Sequence, residues 1–151
     1  MTQTRGTGNL NRIFHSYKPI KGQIPGRRNG VLISLEQGKS SGYALFNLED
    51  RGQLMIDSGE AVYGGMIIGE HTRDNDLEVN PLKSKQLTNF RASGKDDAIV
   101  LSPPIKLTLE RAISYIQDDE LVEITPNVIR LRKKYLDIHE RKRQSRKSSV
   151  A

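Results

Sequence analysis

Residues 31–48 read VLISLEQGKSSGYALFNL, and at their centre Gly38, Lys39 and Ser40 spell the GKS that closes a nucleotide-binding P-loop. If the chain curled there around phosphates, a strand, a cradle and a helix would follow one another, and the protein would be an α/β nucleotide binder. Such a loop needs a glycine five residues before Gly38, because successive backbone N–H groups must converge on the phosphates. Ile33 stands there instead. A β-branched side chain suits a strand. Leu32–Leu35 is therefore read as the body of one strand and Tyr43–Leu48 as the next. The polar EQGKSSG between them becomes a hairpin loop, with Gly38 free to take positive φ. The stretch predicts β structure and no phosphate cradle.

Beyond it, QLMID (53–57) and AVYGGMIIGEH (61–71) continue the pattern, set off by turn signals at EDRG and DSGE. Four strands at about ten-residue spacing predict an antiparallel barrel or sandwich. Gly64 and Gly65 suit a bulge or a bend at a barrel corner. Residues 71–97 are polar apart from a short strand at LEV, and carry Arg73, Lys83, Lys85, Arg91 and Lys95. A loop this long inside a small domain is usually functional or disordered. Its Lys and Arg alternate with Asn89, Ser93 and Phe90, a mix able to meet phosphates, sugars and a base; a merely mobile polar loop fits the segment alone as well.

IVLSPPIKL (99–107) reads as a strand ended by a proline pair. Thr108 then caps a helix in which Leu109, Ala112, Ile113 and Ile116 share one face. The acidic run Asp118, Asp119, Glu120 lies at the unfavourable end of that helix and asks for a basic neighbour. ELVEITPNVIRLRKKYL (120–136) is a hairpin turning at Thr125–Asn127, and the basic end HERKRQSRKSSVA is a tail. Before the strands, Leu10, Ile13, Phe14 and Tyr17 have helical spacing, on a segment too short to be stable without a packing partner. A proline- and glycine-rich linker follows it.

The net charge of +6 is segregated: residues 1–28 carry +6, residues 130–147 carry +7, and the stretch between them carries −7. Clustered cations of this kind fit a polyanion partner, since they release counterions from one phosphate surface; a solvated tail is the plainer alternative. The absence of cysteine excludes disulfides, thiolate metal sites and thiol catalysis. The three histidines, at positions 15, 71 and 139, are too scattered for a paired metal site, and no serine sits in a nucleophile elbow. No apolar run approaches the roughly 20 residues of a membrane span, so a soluble cytoplasmic protein is expected. Catalysis by this chain is not.

Several blocks together resemble one family. TRGTG (4–8), GQIPGRRNGVLIS (22–34), EHTRDNDLEVNP (70–81), KQLTNFRASGKDDAIVLSPP (85–104) and DDELVEITP (118–126) are similar to the C-terminal part of the translational GTPase TypA/BipA family. The resemblance covers almost the whole chain. It implies a ribosome-bound factor in which the last domain sends a basic loop toward ribosomal RNA and the acceptor end of the A-site transfer RNA. On that basis Arg73, Asn75, Lys83, Lys85, Asn89, Arg91 and Ser93 are expected to face RNA, with Arg132, Lys133 and Lys134 joining them near the C-terminus. Residues 1–27 would be a remnant of a ferredoxin-like (α+β) domain similar to the last domain of elongation factor G. Residues 28–136 would be the family's own C-terminal domain, and 137–151 a basic tail.

The fold expected is mainly β with minor α: a small OB-like antiparallel β-barrel with one packed helix, a long basic loop and the tail. The GTP site of the family has no counterpart in the sequence, so GTP and magnesium belong to the parent family and no cofactor or metal is expected here. The expected partners are the ribosome, ribosomal RNA and A-site tRNA. A separately encoded GTPase part completing a split enzyme, or a non-functional truncated product, are the alternatives.

Overall fold

A computed structural model describes residues 8–9, 11–20, 22, 26–84 and 100–148. Its organising strand is β5 (Met66–His71), which pairs antiparallel with β1 (Val31–Ser34) along one edge. Its other edge is shared end to end: β8 (Ile129–Lys133) pairs with Met66 and Ile67, and β3 (Gly52–Leu54) with Gly69 to His71. The sheet is completed by β6 (Leu77–Val79), parallel to β1, and by β7 (Glu120–Ile124), antiparallel to β8. A separate ribbon joins β2 (Gly38–Lys39) to β4 (Ala61–Val62).

The expected OB-like barrel is not formed. The sheet runs β6-β1-β5-β8-β7 with β3 on β5, contains a parallel pair, and stays open. The reason lies in what covers it. Leu32, Met66 and Ile68 point to one face, where they meet Leu45 and Leu48 of α1 (Gly42–Glu49). Val31, Ile33, Ile67 and Leu131 point to the other, where they meet Ala112 and Tyr115 of α2 (Leu109–Tyr115). A sheet with apolar side chains on both faces needs a layer on each, and helices supply both without curling the sheet shut.

Four local expectations are corrected. Tyr43–Leu48 is the helix α1 and not a strand: Ser41 stands in extended conformation and its side chain accepts a hydrogen bond from Ala44 N, which is the geometry of an N-cap. Gly38 is not in the left-handed region. It lies in β2, where a Cβ would come within 2.2 Å of Leu82 Cδ2. Residues 11–20 form no helix, and Ile13, Phe14, Tyr17 and Ile20 are exposed, because no apolar surface among the described residues lies against them to stabilise a short helix.

The segment 100–108 is likewise not a strand, although Ile105 N donates to Leu54 O. Thr108 caps α2 as expected, and the β7–β8 hairpin turns where Thr125 N bonds Val128 O. The bend predicted at the double glycine falls at Gly65, whose φ of +84° separates β4 from β5. The basic tail is helical, α3 (Ile138–Ser148).

Candidate nucleic-acid interface

Arg73 and Asn75 lie exposed on the turn between β5 and β6. Its backbone is held from several sides. Gly30 N donates to Arg73 O at 2.7 Å, and His71 Nδ1 donates to Asn75 O at 2.6 Å, which places the proton of that imidazole on Nδ1. Asp76, the next residue, accepts from Val31 N through Oδ1 at 2.9 Å. His71 is thus a buried structural group and not a surface ligand.

The long basic loop is rooted on α1. Ser41 N donates to Pro81 O and Ser41 Oγ to Lys83 O, so the residue that caps the helix also fixes the departing chain. The returning chain meets the other end of the same helix, where Ser102 N donates to Glu49 Oε1 at 2.6 Å. Lys83 is exposed at the departing foot. Lys85, Asn89, Arg91 and Ser93 lie outside the described residues.

The three cations at the end of β8 part company. Lys134 is exposed and Arg132 half-buried, but Lys133 is turned inward and only 2 % exposed. Its ammonium is held by Asp76 at 2.6 Å, Asp119 at 2.8 Å and Glu120 at 3.0 Å. Glu120 also receives a two-pronged bond from Arg27, at 2.7 and 3.0 Å, while the Arg27 guanidinium lies over the Tyr115 ring at 4.5 Å. Burial opposes the charge on Glu120, but the hydrogen bond from Arg27 and the charge of Lys133 outweigh it and hold the carboxyl below its usual range. Burial opposes the charge on Lys133 too, and its bonds to Asp119 and Asp76 more than offset that.

The acidic run after α2 thus receives the basic neighbours it asks for. The inward turn of Lys133 was readable as well: a period of two along β8 puts it on the face of Ile129 and Leu131. Arg27 left no such mark among the arginines of the linker.

Beside this cluster, α3 is fixed to the sheet by Arg141, which bonds Tyr135 O, Leu136 O and Glu78. A cleft of about 1020 Å³ lies between them, lined by residues of both charges, among them Lys134, Lys142, Asp118 and Asp119. No group of side chains able to hold a metal ion occurs among the described residues.

These features define a mixed-sheet domain with helices on both faces, a rooted basic loop and a basic terminal helix. The chain belongs to the TypA/BipA C-terminal domain family, whose model matches residues 29–138. It is 60% identical over 147 residues to the large ribosomal subunit assembly factor BipA of Haemophilus influenzae and 54% identical over the same length to that of Escherichia coli K12, covering 97% of this chain in each case. The factor of the same name from Buchnera aphidicola is 56% identical over 93% of the chain. The chain spans about a quarter of the length of these relatives, 23% to 24%. The match is to a C-terminal domain and not to a GTPase domain.

Proposed function

We propose that this chain is the ribosome-contacting C-terminal portion of a BipA-type translation factor, and that it binds ribosomal RNA and A-site tRNA without hydrolysing GTP itself. The observation that carries this reading is the fate of the charges. Four acidic side chains, Asp76, Glu78, Asp119 and Glu120, are ion-paired to Lys133, Arg27 or Arg141, while Arg73, Lys83, Lys134, Lys142 and Arg143 are exposed. These ion pairs neutralise the carboxylates nearest the Arg73 turn and the end of β8, and leave the neighbouring cations open to a polyanion, although Asp74 and Asp118 are exposed beside them. Relatives named as ribosomal subunit assembly factors make the ribosome the polyanion to test first.

In this reading the loop from Lys83 through Lys85, Asn89, Arg91 and Ser93, with Arg73, Asn75, Lys134 and α3, contacts phosphates and bases, and the sheet keeps these contacts in register. GTP and magnesium are used by the GTPase region of the whole factor, which works in the cytoplasm. The exposed Ile13, Phe14, Tyr17 and Ile20 favour one second reading, in which a separately encoded GTPase part docks on this piece.

The test is co-sedimentation with ribosomes at low and moderate salt, beside a variant with Lys83→Ala, Lys85→Ala and Arg91→Ala. The chain should pellet at moderate salt and the variant should not. Pelleting of both at low salt only would reduce the attraction to generic charge.

A further inference from the structure

Lys133 stands in a run of cations read as RNA-facing, yet its ammonium reaches only inward, to carboxylates on two other segments of the chain. One of them, Asp76, ends the turn that exposes Arg73 and Asn75, and it is tied through its second oxygen to Val31 N at the start of β1. The same turn is closed at its other residues by Gly30 and His71. Gly30 is packed so tightly under it that a Cβ would lie 2.2 Å from Asn75 C. On its other side, the backbone of Lys134 is pinned by a 2.8 Å bond from its N–H to Asp119 O, the residue whose carboxylate also holds Lys133.

From this arrangement we infer that Lys133 and Asp76 are positioning residues for nucleic-acid binding: their ion pair sets where Arg73 and Lys134 stand, and neither contacts the RNA. The inference rests on the RNA-binding reading above. It has a consequence of unusual sign. Removing the negative charge of Asp76 beside a polyanion site should tighten binding if only long-range charge mattered. If the pair positions Arg73, the same change weakens binding.

The variant that separates these is Asp76→Asn, which keeps an acceptor for Val31 N, removes the ion pair, and leaves Lys133 with Asp119 and Glu120. Affinity for purified ribosomes is measured over a salt series for the wild type, Asp76→Asn and Arg73→Ala, with urea unfolding of each as a check on folding. Arg73→Ala should lower the steepness of the salt dependence by about one unit, as loss of a phosphate contact does. Asp76→Asn should lower affinity about fivefold, the scale of one lost net hydrogen bond, with steepness shifted toward that of Arg73→Ala and a urea midpoint near that of the wild type. Unchanged or tighter binding by Asp76→Asn would overturn the inference. A wild type that fails to bind ribosomes would instead overturn the reading on which it rests.

Discussion

Glu120 is fully buried yet ionised, and what protects it is the pairing with Arg27 and Lys133. A carboxyl held below its unfolded pKa stabilises the fold above that pKa, and the contribution is lost as pH falls through the folded value. Urea midpoints should therefore decline once the pH drops below about 4.5, the ordinary value. Glu120→Gln should lack that component of the decline and cost about 3 kcal/mol at neutral pH, since it leaves Arg27 and Lys133 short of a counter-charge. A second residue reports at the alkaline end. The Tyr63 hydroxyl donates to Glu123, and burial, reinforced by that carboxylate, pushes its pKa to about 12. An ultraviolet titration should show one tyrosine ionising near 12, and Glu123→Gln should move it part of the way down, since burial, the larger cause, remains. The need of Asp118–Glu120 for cations was legible in the sequence, because a helix end and three carboxylates together state it. Which cations answer was not, since Arg27 is brought there by tertiary packing from more than ninety residues away.

α1 shows why element type can escape a pattern reading. Tyr43, Ala44, Leu45, Phe46 and Leu48 are apolar at spacings that satisfy a strand and a helix alike, and only burial of Ala44, Leu45 and Leu48 beside an exposed Phe46 marks the helix. The deciding signal was Ser41, a cap residue placed where the hairpin reading wanted a loop. Ser41→Ala should cost about 1 kcal/mol in urea unfolding through loss of the cap, and Leu45→Ala, which opens a cavity under the sheet, between about 2 and 5 kcal/mol. Equal effects of the two would contradict the packing described. α2 and the β7–β8 hairpin were legible because each carries its own boundary chemistry, Thr108 at one and the Thr125–Asn127 turn at the other. The helix expected around Ile13 had the right spacing and lacked a surface to pack on.

At the scale of the molecule, the open sheet could not be told from a barrel by strand count. The difference rests on β1 pairing parallel with β6 and on helices covering both faces, and neither is a property of any single segment. The exposed residues 11–20 contribute nothing visible to this core, whose first anchor among the described residues is Arg27. A chain starting at residue 21 should keep the urea midpoint of the full chain, and a fall of more than a few tenths molar would show that the leading segment packs after all. One consequence reaches beyond stability. The two feet of the basic loop stand at either end of an eight-residue helix, on the order of 12 Å long, a gap that some four extended residues could bridge. The described fold therefore asks of the intervening chain that it span this gap and, next to the returning foot, that Leu101 pack against the core. The helix is thus a fixed mount, setting where the chain departs and where it comes back.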